Sequence, residues 1–184
     1  MLTWIQAMDW RLLDGIRSAL VCPFLDAAMP VVTRLGDAGA IWILAGLALL
    51  ATKKYRKNGI MLLCGLLAGV LIGNAALKNL AARARPCWER PDVALLIAMP
   101  TDYSFPSGHT LASVIGAAML TRANRRFGCA AIPLAALIAL SRLYLFVHFP
   151  SNVLASVALG LAIAAAVERL FRMRAVREAV GCIS

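Results

Sequence analysis

Histidine occurs only twice in this 184-residue chain, at 109 and 148, and the five cysteines (22, 64, 87, 129 and 182) show no CxxC or Cys/His ligand spacing. A zinc site or a disulfide framework needs such spacings, so neither is expected, and no metal or cofactor is called for. Charge is scarce as well. Asp, Glu, Lys and Arg make up 15% of the residues, against about 25% in an ordinary soluble domain. Hydrophobic residues reach 61%, and the mean hydropathy is +0.78. These values exclude a typical soluble domain and point to an all-α, polytopic membrane helix bundle, a single membrane-embedded domain over residues 1–184. The formal charge of +10 would suggest nucleic acid in a soluble chain. In a membrane chain Lys and Arg collect in cytoplasmic loops, and no nucleic-acid partner is expected.

Six stretches read as transmembrane helices, over about 19–33, 36–52, 59–80, 107–121, 127–147 and 151–170. The stretch Gly59 to Leu77 has only Asn74 polar and is about as long as the hydrocarbon layer requires. The first stretch is the least regular, since it carries Pro23, Asp26 and Pro30. Before it, Trp4 to Ile16 mixes Trp, Leu and Ile with Asp9, Arg11 and Asp14, a pattern suited to an interfacial amphipathic helix. The first residues lack a basic segment followed by an apolar core, so no cleavable signal peptide is expected.

Basic clusters set the orientation. Lys53, Lys54, Arg56 and Lys57 lie between spans two and three, and Arg122, Arg125 and Arg126 between spans four and five. Arg169, Arg172, Arg174 and Arg177 follow span six. With six spans all three clusters fall on one side, which the positive-inside rule makes cytoplasmic, with both termini. The opposite, exterior or periplasmic, side receives Lys78–Ser107 and His148–Asn152.

Those outer segments carry basic residues of their own. Lys78 and Arg85 are seven positions apart, about 700° on a helix and so nearly two full turns. A helix running through Arg85 and ended by Pro86 would set both on one face; a snorkelling interfacial pair is the other reading. Arg142 within an apolar span needs a partner or a cavity. It lies six positions before His148, so either the helix unwinds near Phe146 or the two approach a ligand from different sides. "FPSGHT" reads as a turn into a helix, with Ser107 as N-cap and Gly108 allowing close approach to the backbone. Free N–H groups at such a start favour an anion. "FPSN" at Phe149–Asn152 repeats the device. Two helix starts, three cations and both histidines on one membrane face describe a phosphate site with an acid and a nucleophile.

Lys78-x6-Arg85-Pro86, then Pro106-Ser107-Gly108-His109, then Ser141-Arg142-x5-His148 resemble the three-part signature of the type 2 phosphatidic acid phosphatases. That lipid-phosphate phosphatase superfamily also includes vanadium haloperoxidases. The resemblance covers essentially the whole chain and implies a metal-independent phosphatase acting on a lipid phosphate or diphosphate at the outer face. Undecaprenyl diphosphate, phosphatidylglycerol phosphate and phosphatidic acid are the substrate types it suggests. Carried over residue by residue, it makes His148 the nucleophile that forms a phosphohistidine and His109 the acid for the departing oxygen. It makes Lys78, Arg85 and Arg142, with backbone N–H groups around Ser107 and Gly108, the holders of the phosphoryl oxygens.

One position departs from the pattern. Where the family continues His-x3-Asp, with the Asp accepting from the nucleophilic imidazole, this chain has Asn152. Three readings fit: a natural variant with a retuned site, an inactivating substitution, or a protein that binds or transports lipid phosphate with little hydrolysis. Gly65, Gly69 and Gly73 form a small-residue stripe suited to close helix packing. The outer loop from Trp88 to Asp102 is long enough for an interfacial lid, though Trp88 and Tyr103 also suit plain interface anchors. Oligomeric state stays open.

Overall fold

A computed structural model describes residues 2–181, with side chains from Trp4 to Met173. Met1 and residues 182–184, including Cys182, lie outside the described residues, as do the side chains of Arg174 and Arg177. Every regular element described is helical. Helix α1 spans Leu2–Leu20 and α2 Pro23–Leu35, the latter opened by a proline whose missing N–H costs nothing at a helix start. A tight turn at Asp37–Gly39, with positive φ at Ala38 (50°) and Gly39 (71°), bends the chain into α3, Ala40–Ala51. Helix α4, Arg56–Gly69, continues through a wide π-type segment, Val70–Leu77, into α5, Lys78–Ala81. A single turn, α6 (Pro86–Glu89), precedes the long outer loop. Helices α7 (Gly108–Ala123), α8 (Arg125–Tyr144) and α9 (Pro150–Gly181) complete the chain.

Among the described residues three helices, those starting at Arg56, Arg125 and Pro150, are long and apolar enough to cross a membrane. A fourth crossing is available if α2 and α3, bent by 43° at their junction, count as one broken span. Helix α7 has only 16 residues, a rise of about 24 Å against a hydrocarbon layer of about 30 Å. Six apolar stretches therefore yield three to four crossings by length and composition. Phe24, Leu44, Leu67, Leu80, Ile132 and Leu154 are exposed around the bundle, an apolar exterior that suits lipid and not water.

Helix α7 is the centre, packing on α4, α8 and α9. Its Leu111, Ile115 and Met119 are buried. The glycine stripe of α4 and its π extension faces them: a Cβ at Gly69 would lie 2.8 Å from Ile115 and one at Gly73 2.4 Å from Leu111. Close approach, not a gate, is what this stripe provides. On α7 itself, Gly116 admits the Trp42 ring of α3, to which a Cβ would come within 2.4 Å, while Trp42 Nε1 donates to Ser113 Oγ at 3.0 Å.

A second, smaller core lies behind the loops that join α6 to α7 and α8 to α9. Leu13 of α1, Met29, Cys87 and the run Tyr144–Val147 with Phe149 are buried together. Trp10 packs edge-on to Phe149 at 5.0 Å and beside Phe146 at 6.0 Å, and Arg90 lies over Trp10. Helix α1 thus clamps the segment between α8 and α9. Its Asp9, grouped with the polar residues of an interfacial helix on sequence grounds, is turned inward and buried.

The chain between α5 and α6 corrects one expectation. The helix does not run on through Arg85. It stops at Ala81, where Ala82 takes a left-handed conformation (φ 42°) and its N–H closes on the Lys78 carbonyl. Arg85 is extended, as a residue before proline tends to be, and Pro86 starts a new turn instead of ending an old one.

Candidate active site

Lys78 at the start of α5, Arg85 before α6, Gly108 and His109 at the start of α7, Arg142 near the end of α8 and His148 before α9 line one cavity of about 690 Å³. Lys78 and Arg85 meet there because the chain turns between them, not because a helix repeats. Arg142 and His148 meet because α8 unwinds after Tyr144. Phe146 adopts φ 60°, an unfavourable conformation for an aromatic residue, and its ring is fully buried in the second core.

His148 is 2% exposed and both ring nitrogens are engaged. Nδ1 lies 2.7 Å from the Ser104 carbonyl and Nε2 lies 3.0 Å from Arg85 Nη1. A carbonyl only accepts and a guanidinium only donates, so the proton sits on Nδ1 and the lone pair on Nε2. Burial, followed by the charges of Arg85, Arg142 and Lys78, pushes the His148 pKa well below 6.5. The ring is a neutral imidazole whose Nε2 lone pair accepts from Arg85.

Arg85 is anchored on all sides. Nη1 donates to the Val147 carbonyl (2.7 Å), Nε to the Asp102 carbonyl (2.6 Å) and Nη2 to Asp102 Oδ1 (2.6 Å). The same Asp102 carboxylate pairs with Lys78. Burial would raise the Asp102 pKa, but the Lys78 hydrogen bond and the Arg85 and Lys78 charges hold it below the usual carboxylate value. Arg142 is 5% exposed, donates through Nη1 to Thr33 Oγ1, and leaves Nε without any hydrogen-bond partner. A buried guanidinium N–H without an acceptor is costly unless one arrives with a ligand.

His109 is held differently. Nε2 lies 2.9 Å from Asp37 Oδ1, with the imidazole partly exposed. Gly36 makes room for it, since a Cβ there would fall 2.9 Å from His109 Cδ2. The other wall of the cavity is apolar: Ile43, Leu63, Leu66, Leu67, Val70 and Leu111. Leu67 and Val70 are also exposed on the bundle exterior, so this wall runs from the polar end out to the lipid-facing surface.

Two sequence-predicted residues lie behind the cavity. Ser107 caps α7 as expected, its Oγ accepting from the Thr110 N–H, but it is fully buried and its own N–H donates to Ser156 Oγ at 2.8 Å. Its N–H is therefore committed, which leaves Gly108 as the backbone contribution at that end. Asn152 is also fully buried and makes no hydrogen bond to His148; it bonds to Arg83 and to Ser104.

The PAP2 superfamily matches residues 59–175 of this chain. The chain belongs to that superfamily. Its segment of 121 residues is 36% identical to an undecaprenyl-diphosphatase of Sulfolobus acidocaldarius, covering 65% of this chain and 58% of that protein. A decaprenylphosphoryl-5-phosphoribose phosphatase of Mycobacterium tuberculosis is 32% identical over 163 residues, 84% of this chain and 85% of the relative. Among solved structures, a transmembrane PAP2-type phosphatidylglycerolphosphate phosphatase of Bacillus subtilis superposes with a TM-score of 0.74 at 25% identity, covering 92% of this chain and 87% of that one. Relatives of this PAP2 member are thus named as phosphatases.

Around the PAP2 motifs stand residues that the motif reading passed over: Asp102 on the cations, Asp37 on His109, Ser104 on His148, and Arg83 with Asp9 behind Asn152. Asp37 had one signal, an acidic residue between two glycines at the junction of two apolar stretches. The others pair across long sequence separations and carry no local pattern.

Proposed function

We propose that the chain hydrolyses a membrane lipid phosphate or diphosphate, with the phosphoryl group at the polar end of the cavity and the lipid tail along its apolar wall. The observation that carries this reading is Arg142: a buried cation with an unpartnered Nε, lining the same space as Lys78, Arg85 and both histidines. Undecaprenyl diphosphate, phosphatidylglycerol phosphate and phosphatidic acid types are the substrates to test, and the names of the polyprenyl-acting relatives favour the first.

His148 Nε2 attacks phosphorus, the bond from phosphorus to the lipid oxygen breaks, and His109 delivers a proton to that oxygen. Water then attacks the phosphohistidine, His109 takes its proton, and the phosphorus–nitrogen bond breaks to release phosphate. Arg85 moves from Nε2 to a phosphoryl oxygen as substrate enters, and Lys78 and Arg142 hold the remaining charge.

The reading includes six membrane crossings, an interfacial α1, cytoplasmic termini and a site facing the exterior or periplasm. The purified protein should release phosphate from at least one lipid of the panel, and [32P]-labelled substrate should leave acid-labile label on the chain. Release from none of them, with no label, overturns the proposal. For orientation, Cys87 is a poor probe because it is buried. Leu96→Cys, at an exposed loop position, in a background without other cysteines should react with an impermeant thiol reagent from outside.

A further inference from the structure

A continuous file of polar groups leads from α1 to the imidazole of His148. Asp9, 2% exposed, accepts from the Ser151 N–H (2.8 Å), from the Ser151 hydroxyl and from Arg83 Nη2 (2.7 Å). Gln6 Oε1 accepts from the same Nη2 at 2.6 Å. Arg83 Nη1 donates to Asn152 Oδ1, and Asn152 Nδ2 donates to Ser104 Oγ at 2.6 Å and to the Ser104 carbonyl at 3.2 Å. That carbonyl is the acceptor for His148 Nδ1–H at 2.7 Å. Phe149 lies under the guanidinium of Arg83, 4.4 Å from its centroid, so the Arg cannot swing away on that side.

The chemistry of the neighbours dictates what residue 152 must be. Arg83 can only donate and the Ser104 carbonyl can only accept. The side chain between them has to accept on one side and donate on the other, which an amide does and a carboxylate does not. We infer that Asn152 is a positioning residue for His148, acting through the Ser104 carbonyl, and that Asp9 and Arg83 lock its amide in the donating orientation. The negative charge of this network sits on Asp9, contributed by α1, and not at position 152. With the Ser104 peptide held, His148 keeps its proton on Nδ1 and its lone pair on Nε2. With it released, the alternative tautomer puts the proton on the nitrogen that must attack.

This inference rests on the phosphatase reading for its kinetic part only. The chain's two histidines make [15N]histidine labelling legible, with His109→Gln assigning the signals. Wild-type protein should show His148 with the proton on Nδ1. Asn152→Asp sets a carboxylate oxygen against the Ser104 carbonyl; the proton on Nε2 should become detectable and kcat should fall at least about tenfold, with KM changed less than about twofold. Arg83→Met, which frees the amide to turn, should give the same signature, and Arg83→Lys, which keeps a donor, should recover most of both readouts. Asn152→Asp raising kcat with the tautomer unchanged overturns the inference, as does an unchanged tautomer in both Asn152→Asp and Arg83→Met. A wild-type chain inert on every lipid counts against the phosphatase reading instead, while the tautomer result stands by itself.

Discussion

The two Phe-Pro-Ser turns, Phe105–Ser107 and Phe149–Ser151, each bring a histidine to the cavity, and they treat it in opposite ways. His109 follows its turn, two residues into α7, where the imidazole has a single carboxylate partner and partial exposure. His148 precedes its turn, between α8 and α9, buried and held at both nitrogens. The contrast matches the two chemical tasks proposed for them. A nucleophile gains from a fixed lone pair, because misorientation of a degree that a bond would tolerate costs rate steeply. A group that protonates a leaving oxygen and then deprotonates water needs both protonation states and contact with solvent.

His148→Ala breaks the comparison outright and should have the largest effect. Turnover should fall by at least about 10⁴-fold, and no phosphoenzyme should form on any substrate. Label persisting in that variant would remove His148 as the nucleophile. The pH behaviour carries a sign. Attack needs the neutral ring, and its pKa lies well below 6.5, so phosphoenzyme formation in rapid-quench experiments should stay flat as pH falls through 6.5. A loss of rate centred there would mean the cations do not act on His148 as their proximity implies.

His109→Ala comes next. General acid–base groups contribute roughly 10²–10⁴-fold, and the loss should depend on the leaving group. An alkyl lipid phosphate should lose that full factor, whereas an aryl phosphate that departs without a proton should still label His148. Equal losses in the rate of phosphoenzyme formation on both would give His109 a role other than proton transfer.

Much of this site was legible because its motifs are local. A serine cap, a glycine and a histidine in consecutive positions specify a helix start whatever the rest of the chain does, and Ser107 caps α7 as read. An Arg inside an apolar stretch announces a cavity, and Arg142 lines one. What could not be read depends on distant groups. Ala82 is a good helix former, yet it takes a left-handed turn, and beyond that turn Lys78 and Arg85 both pair with Asp102. Asp9 looked like one more polar residue of an interfacial helix, since its partners Arg83 and Ser151 lie 74 and 142 positions away. In a chain this apolar, hydrophobic periodicity does not mark which side of a helix is inward. The break between the first two stretches and the shortness of the fourth, 107–121, are legible in the sequence; what hydropathy does not tell is whether α2 and α3 make one crossing or two, and whether α7 makes one.

Asp102→Asn sharpens the comparison from the phosphate side. Asp102 is the carboxylate that pairs with both Lys78 and Arg85, beside the His148 lone pair. An incoming phosphate has to compete with it for both cations. Removing its charge should lower the inhibition constant of inorganic phosphate by about three- to tenfold, in line with the loss of two partly exposed ion pairs of about 0.2–1 kcal/mol each. Weaker inhibition would show that Asp102 chiefly aims the cations.

Asp37→Asn should have the smallest effect and bears on His109 alone. The Asp37 carboxylate is 62% exposed, so solvent screens its attraction for the imidazolium, and such pairs contribute about 0.2–1 kcal/mol. That converts to a decrease in kcat of roughly 1.5- to 5-fold for an alkyl lipid phosphate. Because Asp37 acts only on His109, an aryl phosphate, which departs without a proton, should label His148 at an unchanged rate. A loss of labelling in Asp37→Asn would tie the two histidines into one unit, and the division of labour between the two turns would fall with it.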